Sequence, residues 1–371
     1  MKIWIDCRMY STHFTGIWRY VYELVSYLES HDTKNEYVLF FNEPHFSNYN
    51  VPSVRFKKVL VNAKHYSYKE QTIFLYKLYK EKLDLMHFTH FNAPLFYFRP
   101  SIVTIHDLTL SFYPGKKMTK HHHRLAYNLT IKNITKRAVK IIAVSAHTKK
   151  DIIEILNVPE EKIEVVYEWI NKSDFFEASP EEIEKLKLNF NLKKDYIFYV
   201  GVLREHKNLL RLIKAYSELL KEWEDIDLVI AWKEDVYLEV RNTIINEKLQ
   251  KNVHLLGFVS EYDLNVLYSG ARAMIYPSLY EGFWLPVLEA MAHSVPVACS
   301  NISSLPEIAG ENGAVLFNPL SIESIKSGIK EVINNKTLRK KLVENWLNRI
   351  KDFSWEKMWE QILNLYNKIE K

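Results

Sequence analysis

Glycine is scarce in this sequence: 9 of 371 residues, or about 2–3% against an average of roughly 7%. Cysteine is scarcer still, and Cys7 and Cys299 both fall in strand-like sequence, which fits a reducing cytoplasm and supplies no metal site. No apolar run reaches the roughly 18 residues of a membrane span. The first residues, MKIWIDCRMY, predict a strand rather than a secretory signal. We therefore expect a cytoplasmic globular protein of two domains, since 371 residues are too many for one ordinary core.

Acidic residues are missing from one long stretch. Residues 108–150 contain ten Lys or Arg, four His and no acid. Residues 1–172 have 25 basic and 16 acidic residues (net +9), and the remainder has 25 and 29 (net −4), which together give the overall +5. A basic half suits nucleic acid, anionic lipid or a phosphorylated substrate, or it is only a solvated helix face. We expect no nucleic-acid partner, because no RNA- or DNA-binding motif is present.

Strand-like and helix-like segments alternate along the whole chain. Alternation of this kind predicts an α/β protein with parallel sheets covered by helices on both faces. A charged, apolar-poor stretch near residues 171–194 interrupts the pattern, which then restarts. We predict two doubly wound domains, residues 1–172 and 173–354, with a ligand bound in the cleft between them at the carboxyl ends of the strands. The predicted strands are 2–6, 37–41, 54–60, 85–88, 102–105, 139–144, 196–200, 227–231, 253–256, 273–276 and 295–298.

Two glutamates eight residues apart mark the stretch YPSLYEGFWLPVLEAMAHSVPV. Glu281 lies in a loop after a predicted strand, and Glu289 lies about one turn into a helix that Pro286 opens. Free N–H groups and the positive dipole end at such a helix start favour phosphate. Two carboxylates beside an anion site indicate a ligand with phosphate and hydroxyl groups, such as a nucleotide sugar. A capping residue and a surface residue are the alternative for an isolated pair.

Other candidate residues also follow predicted strands. Gly16 would let the backbone approach a ligand at the start of the first helix, and His106 could hydrogen-bond a sugar hydroxyl or carry a proton. Gly201 opens a strand–helix turn whose cations would neutralise a leaving diphosphate without a metal. Phe258, in Gly-Phe-Val, could line a base pocket. An ordinary loop glycine, a capping histidine, exposed charge and a plain strand exit are the respective alternatives. The cations of the turn are Arg204, His206 and Lys207.

Two metal-site patterns are rejected. The acidic Asp225-Ile-Asp227 precedes a strand at the end away from the predicted cleft, so a solvated strand entry is favoured. His121–His123 lacks partner ligands at metal-binding spacing and is interpreted as part of a basic helix face.

With these motifs the sequence resembles the retaining glycosyltransferases of family 4, which have the two-domain GT-B fold. It is most similar to bacterial mannosyltransferase-like members that build surface polysaccharide. The resemblance covers nearly the whole chain. It is carried by TGIWRY, VTIHDLT, IIAVSAHTKKDI, KIEVVYEWI, YVGVLREHKNLLRLIKAY, LGFVS, the E-x7-E stretch and SNISSLPEIAG.

The resemblance implies roles for the candidate residues. Glu281 and His106 would contact the transferred sugar. Glu289 would bind the ribose hydroxyls, and Lys207 would bind the diphosphate. The family needs no cofactor and no metal ion. Backbone groups around Gly16 and in the segment Gly282, Phe283 and Leu285 would help to hold phosphate and sugar. The family commonly has Arg where this sequence has His206, so Arg204 is the substitute. The last helix, 355–371, would pack back on the first domain. The resemblance also leaves open a glucosyltransferase with a soluble acceptor, or an inactive homologue in an assembly complex.

Tryptophan occupies five positions where related sequences would have glycine. These are Trp4, Trp18, Trp169, Trp232 and Trp284, whereas Trp355 fits the family. Rings at positions 18 and 284 would lie where backbone must meet phosphate or sugar. Some genetic codes read UGA as glycine and others as tryptophan. Our hypothesis is that several of these residues are UGA-encoded glycines, and a genuine but degenerate site is the alternative.

A basic and aromatic segment in the first domain suggests a surface for a membrane. Residues 64–82 mix lysines with aromatic residues, and the family often glycosylates lipid-linked acceptors. Together with residues 108–150 this segment could contact an anionic bilayer at the inner face of the plasma membrane without spanning it. A basic helix face on a soluble enzyme is the alternative. The aromatic residues are Tyr66, Tyr68, Phe74, Tyr76 and Tyr79.

Overall fold

The chain divides into two compact units. The computed structural model describes residues 1–11, 16–80, 83–115, 121–168, 175–222, 225–232, 238–349, 353 and 355–369. One unit comprises Met1–Glu168 with Glu356–Lys371, and the other comprises Trp169–Trp355. The boundary lies four residues before the one predicted from the drop in apolar content. Each unit is built on its own parallel sheet.

The first unit contains a seven-stranded parallel sheet of order β3-β2-β1-β4-β5-β6-β7. Strand β1 pairs with β2 on one side and β4 on the other, so the order reverses between β1 and β4. The strands are β1 (Lys2–Asp6), β2 (Glu36–Phe41), β3 (Phe56–Leu60), β4 (Leu85–Phe88), β5 (Ser101–Ile105), β6 (Lys140–Ala143) and β7 (Ile163–Val165). The helices are α1 (Ile17–His31), α2 (His45–Asn48), α3 (Leu75–Lys80), α4 (Thr109–Phe112), α5 (His121–Arg137) and α6 (Ala146–Leu156), with a π-helical segment at Glu70–Phe74 and a 3₁₀ turn at Glu160–Lys162.

The second unit contains a six-stranded parallel sheet of order β10-β9-β8-β11-β12-β13. Here the order reverses between β8 and β11, which pair directly. The strands are β8 (Tyr196–Val200), β9 (Asp227–Ala231), β10 (Val253–Gly257), β11 (Ala273–Tyr276), β12 (Val297–Ser300) and β13 (Val315–Phe317). The helices are α7 (Pro180–Asn189), α8 (Leu209–Leu220), α9 (Leu238–Asn246), α10 (Glu261–Gly270), α11 (Leu285–Ala292), α12 (Leu305–Ala309), α13 (Ile322–Asn334) and α14 (Lys336–Arg349), with a 3₁₀ turn at Glu205–Lys207.

The strand and helix bounds follow from the residue pattern. Strands such as β5 and β9 are buried along their whole length, as expected when helices cover both faces of a parallel sheet. Ser179 and Glu182 form a capping box with Pro180 at the first turn, which fixes the start of α7. The strand predicted at 295–298 lies two residues later, at Val297–Ser300, because Ser294 takes a left-handed turn conformation before it.

The last helix, α15 (Trp355–Ile369), belongs to the first unit. The Tyr366 hydroxyl lies 2.5 Å from Nδ1 of His87 on β4, and Trp359 packs against Tyr20 of α1 with 5.5 Å between ring centroids. These buried contacts attach the end of the chain to the core of the first unit. In the described part of the chain, no helix has both the length and the apolar character to cross a membrane.

Candidate active site

The loops that follow β8 and β11 leave the second sheet at the point where its strand order reverses. Such switch points open a crevice at the carboxyl edge, where doubly wound sheets bind ligands. The loop after β8 carries Lys207 at the end of the 3₁₀ turn, and the loop after β11 carries Glu281. The backbone N–H of Leu279 donates a 2.7 Å hydrogen bond to the carbonyl of His206, which ties the two loops together.

Lys207 and Glu281 form an ion pair at this edge. Lys207 Nζ lies 2.5 Å from Glu281 Oε1, with side-chain exposures of 13% and 11%. The same ammonium lies 3.3 Å from the Tyr276 hydroxyl, at the end of β11. Removing one partner from such a buried pair leaves a charge poorly compensated, which costs about 3–5 kcal/mol. The charge of each side chain is therefore compensated mainly by the other.

The loop that carries Glu281 is fixed by hydrogen bonds from the turn after β12. The N–H of Glu281 donates to Ser303 Oγ over 2.9 Å, and the Ser303 and Ser304 hydroxyls donate to the Glu281 carbonyl over 2.6 and 3.1 Å. Ser303 takes a left-handed backbone conformation, with φ 62°, which turns its hydroxyl toward the loop. The backbone N–H and the carbonyl of Glu281 are thus both hydrogen-bonded, which fixes the position of the residue that carries the carboxylate.

Glu289 lies in α11, one turn from the helix start. Its Oε2 accepts a 2.8 Å hydrogen bond from the hydroxyl of Tyr268 on α10. Burial and the Glu289 charge raise the pKa of Tyr268, so the phenol stays protonated and donates. Burial and then the charges of Glu281 and Glu289 raise the pKa of Tyr276. Both carboxylates therefore act electrostatically on one buried phenol.

A pair of stacked tyrosines lies beneath Gly201. The rings of Tyr199 and Tyr276 are 5.3 Å apart and nearly parallel. Gly201 has φ 151°, and a Cβ there would lie 3.0 Å from the Tyr199 hydroxyl and 3.3 Å from the Tyr276 hydroxyl. Glycine is required at this position because a side chain would meet strain and two fixed oxygen atoms.

His106 lies in the first unit, directly after β5, and is hydrogen-bonded at both ring nitrogens. Nδ1 is 2.5 Å from Oε1 of Glu168, and Nε2 is 2.9 Å from the carbonyl of Thr89. Burial alone would lower the pKa of His106, but the hydrogen bond and charge of Glu168 outweigh it and raise the pKa. Because both neighbours are hydrogen-bond acceptors, the ring donates at each nitrogen only in its doubly protonated form, which the raised pKa favours.

The remaining predicted residues take varied positions. Gly16 has φ 68° and precedes α1, so the left-handed conformation itself accounts for glycine there. Arg204 is exposed before the 3₁₀ turn, whereas His206 is buried inside it. Phe258 is 71% exposed after β10. The segment before α11 contains buried Gly282 and half-buried Phe283, with Leu285 as the first residue of the helix.

The structure thus brings Lys207 and Glu281 into direct contact, whereas Glu289 is hydrogen-bonded to Tyr268. His106 lies in the other unit, so its contact with a donor sugar stays a prediction. Sequence reasoning missed Glu168 and the tyrosines at positions 199, 268 and 276. For Tyr199 and Tyr276 the only signal was a tyrosine at or next to the end of the strand segments YIFYV and AMIY. Nothing in the sequence indicates what a buried phenol or carboxylate contacts.

The suspect tryptophans are mostly buried. Trp284, 1% exposed, precedes α11 and packs on Tyr276 with ring centroids 4.0 Å apart. Trp4 is buried in β1 against Phe40. Among the described side chains, the indole N–H groups of Trp4, Trp284 and Trp346 are buried without a hydrogen-bond partner. Trp18 is half-buried and Trp232 buried, and residue 169 lies outside the described residues.

The rejected metal patterns have structural explanations. Asp227 begins β9, and its Oδ2 lies 2.9 Å from Nε2 of His254 on the neighbouring strand β10. Asp227 lies at the strand entry as expected, but it is buried, so the expectation that this residue is solvated is wrong. His121, His122 and His123 are exposed at the start of α5. Within the described residues, no group of three or more His, Cys, Asp or Glu side chains could hold a metal ion.

Solved structures with the same architecture have the GT-B fold of glycosyltransferases. Sucrose-phosphate synthase from Thermosynechococcus elongatus superimposes with a TM-score of 0.79 at 18% identity, over 99% of this chain and 98% of the other. The Anabaena protein Alr3699/HepE, solved with UDP and glucose, superimposes with a TM-score of 0.76 at 16% identity. The match covers 99% of this chain and 100% of the other. The predicted fold class is confirmed: this is a GT-B protein with two Rossmann-like domains.

The sequence comparisons define the family. Residues 180–349 match the family model of glycosyl transferases group 1, and residues 14–174 match that of glycosyltransferase family 4. O-antigen chain mannosyltransferase B of Escherichia coli is 30% identical over 290 residues, 74% of this chain and 73% of that protein. O-antigen chain mannosyltransferase RfbU of Salmonella typhimurium is 32% identical over 276 residues, which are 70% of this chain and 72% of that protein. The chain therefore belongs to the glycosyltransferase family that includes these two O-antigen mannosyltransferases.

Proposed function

We propose that the protein is a retaining, metal-independent family 4 transferase that moves a hexose, such as mannose, from a nucleoside diphosphate sugar to a saccharide or lipid-linked saccharide in surface polysaccharide synthesis. The observation that carries the proposal is the Lys207–Glu281 ion pair at the switch point of the second sheet. The names of the mannosyltransferase relatives supply the sugar and the pathway.

Each donor group has a partner of suitable chemistry in this proposal. Lys207 and the N–H groups at the start of α11 hold the diphosphate, where the helix dipole also favours negative charge. Glu281 accepts hydrogen bonds from hydroxyls of the transferred sugar, and Glu289 from the ribose. Gly201 allows backbone to approach the phosphates. Arg204 and His206 precede the lysine in the same turn and add positive charge or hydrogen bonds, and Phe258 lines the base pocket.

Retention follows from attack on the face from which the diphosphate leaves. The bond between the anomeric carbon and the phosphate oxygen breaks as the acceptor oxygen bonds to that carbon, and the acceptor proton passes to the departing diphosphate. Lys207 and the dipole of α11 stabilise the charge that develops on this leaving group. The family resemblance gives His106 a contact with the transferred sugar. Of its two hydrogen bonds, the one to the uncharged Thr89 carbonyl is the weaker.

The acceptor and the membrane belong to the first unit in this proposal. Tyr68 and Tyr76 are exposed beside Lys69 and Lys80, a mixture that suits peripheral contact with anionic lipid at the cytoplasmic face of the membrane. One residue of the predicted aromatic surface is excluded, because Phe74 is buried in the core. Co-sedimentation with vesicles of anionic phospholipid at low salt tests this contact, and absence of binding contradicts it.

Donor hydrolysis tests the enzymatic proposal. A thermal-shift screen of GDP, UDP, ADP and their hexose derivatives identifies the donor, and release of nucleoside diphosphate is then measured. We expect Lys207→Ala and Glu281→Ala to abolish the release. The matched controls are Lys221→Ala and Glu218→Ala, which break an exposed ion pair of 2.8 Å in the same unit. Equal activity in all four variants contradicts the proposed site.

An inactive homologue is the second candidate, and Trp284 is the observation that favours it. The indole lies immediately before α11, where the proposal needs the helix N–H groups to meet phosphate. Trp284→Gly separates the two functions. A transferase with an obstructed site gains nucleoside diphosphate binding in this variant, whereas a scaffold binds none with either residue.

A further inference from the structure

The second unit has a pocket that the proposed transfer does not use. It is lined by Ser294 and Pro296, in the loop that leads into β12, and by one face of α14. Because Pro296 directly precedes a strand, the pocket lies at the amino edge of the sheet, opposite the edge that carries Lys207 and Glu281. Its volume is about 410 Å³, within the roughly 300–1,000 Å³ that is usual for small-molecule sites.

The face of α14 that lines the pocket is strongly basic. Its residues recur at intervals of three and four, which places them on one side of the helix. Three are cations and one is an acid, so the net charge of this face is +2 (three positive charges minus one negative). A phosphate monoester carries about −1.5 to −2 at neutral pH, which matches that charge. The residues are Lys336, Arg339, Lys340, Val343 and Glu344.

The cations lie at the end of α14 where positive charge is least favourable. Asn335 caps the helix, since its Oδ1 accepts a 2.9 Å hydrogen bond from the N–H of Leu338. The first turn of this helix contains no acidic residue. Lys336, Arg339 and Lys340 therefore stand beside the positive end of the helix dipole, which repels them. An anion bound in the pocket would be attracted both by the side chains and by the dipole.

Arg339 is the cation of this face whose charge is least compensated. Within the described residues, its Nε is buried without a hydrogen-bond partner. Arg272, directly before β11, also has a buried and unpaired Nε among those residues, although it lies 3.6 Å from Asp195 and donates to the carbonyl of Ile333 over 3.1 Å. Burial and the charge of Arg272 lower the pKa of Arg339, and Asp195 offsets only part of this effect. An anion on Arg339 would relieve the repulsion between the two guanidinium groups.

The lining of the pocket suits a soluble ligand better than a membrane. Surfaces that bind anionic bilayers combine cations with exposed aromatic side chains. Among the described residues that line this pocket, none is aromatic. A small molecule with a phosphate group meets the charge of the pocket without needing an apolar anchor.

We propose that this pocket is a second anion site, which binds the phosphate monoester group of a small soluble molecule through Lys336, Arg339 and Lys340 at the start of α14. The site is separate from the proposed donor site, because the two lie at opposite edges of the second sheet. The inference does not depend on the proposed glycosyl transfer.

Calorimetric titration of the full chain with glycerol 3-phosphate tests the site, with glycerol at the same ionic strength as the uncharged comparison. The titration is made in Lys207→Ala, because Lys207 would also attract phosphate. We expect one glycerol 3-phosphate to bind per chain and glycerol not to bind. In this background, Arg339→Gln and Lys336→Gln should each weaken binding about tenfold, the loss of roughly one charged hydrogen bond.

Lys341→Gln is the matched control. Lys341 follows Lys340 on the same helix and is exposed, but it does not line the pocket, so this variant should bind like its parent. Thermal melts show whether the variants fold. In phosphate-free buffer, Lys336→Gln should melt no lower than wild type, because it removes a positive charge from the positive end of a helix. Glycerol 3-phosphate should then raise the Tm of wild type more than that of Lys336→Gln.

Vesicles of phosphatidic acid carry the same phosphate monoester on a lipid and distinguish the two sources. Binding to these vesicles without binding of glycerol 3-phosphate overturns the inference. It is also overturned if glycerol 3-phosphate does not bind to Lys207→Ala, or if Lys341→Gln weakens binding as much as Arg339→Gln.

Donor hydrolysis separates this inference from the proposed function. With Lys207 intact, Arg339→Gln and Lys336→Gln should release nucleoside diphosphate at the wild-type rate. Loss of glycerol 3-phosphate binding with unchanged donor hydrolysis supports a separate anion site. Loss of hydrolysis as complete as in Lys207→Ala contradicts the separation of the two sites.

Discussion

The two glutamates of the E-x7-E stretch should respond in opposite directions to the same substitution. In Glu281→Gln, Lys207 loses the carboxylate that lies 2.5 Å from its ammonium and that competes with a bound diphosphate. In Glu289→Gln, by contrast, the proposed acceptor for the ribose hydroxyls loses its charge. We therefore expect the first variant to bind nucleoside diphosphate more tightly and the second to bind it more weakly.

The size of the first effect follows from Coulomb's law. A phosphate on the far side of the ammonium would lie about 5–6 Å from the Glu281 carboxylate, and two unit charges at that separation repel by about 3 kcal/mol at an effective dielectric constant of 20. Both side chains are slightly exposed, so screening and relaxation leave about 1–2 kcal/mol, or roughly five- to thirtyfold tighter binding. The loss of a charged hydrogen bond at Glu289 weakens binding by about tenfold or more.

Calorimetric titration with GDP and UDP measures both effects. Glu281→Gln should also lose turnover of the donor sugar, because the residue then no longer accepts hydrogen bonds in its charged form from the transferred hexose. Glu218→Gln, on the exposed ion pair with Lys221, is the control and should bind like wild type. Weaker nucleoside diphosphate binding in Glu281→Gln, equal to that of Glu289→Gln, would refute the reasoning.

Three further predictions concern Gly201, His106 and the tryptophans. Gly201→Ala should destabilise the second unit by about 1–3 kcal/mol because of its left-handed φ, and an unchanged urea midpoint contradicts this. The raised pKa of His106 contributes stability below its ordinary value of 6.5 that is lost as the pH rises through the folded pKa. Glu168→Gln should remove this alkaline loss from thermal melts, and an unaltered profile argues against the pair. The hypothesis of UGA-encoded glycines predicts UGA at codons 4, 18, 169, 232 and 284, and UGG at these codons in the coding DNA ends it.

Most of the architecture could be predicted from the sequence. Buried strands in a parallel sheet are continuous apolar runs, so segments such as Leu85–Phe88 and Ala273–Tyr276 stand out from the polar helices between them. The short strands β7 and β13 were missed, because three residues carry too little pattern to separate a strand from a loop. The helix predicted at 68–83 is interrupted by the π-helical segment, which the paired side chain of Glu70 holds in place.

The candidate site was predicted only in part. Lys207 and Glu281 were found because loops after neighbouring parallel strands meet at one edge, and they do form an ion pair. Glu168 could not be found, since its contact with His106 spans 62 residues and has no local pattern. The buried ion pairs of Arg8 with Asp6 and Glu70 were invisible for the same reason: three buried charges become compatible with a core only through the tertiary contacts that pair them.

A crystal structure with the nucleoside diphosphate selected by the thermal-shift screen tests the central claim most directly. The account predicts the diphosphate within hydrogen-bond distance of Lys207 Nζ and of the N–H groups that begin α11, with the ribose hydroxyls on Glu289. A nucleotide bound elsewhere on the chain, with Lys207 still in contact with Glu281, would contradict it.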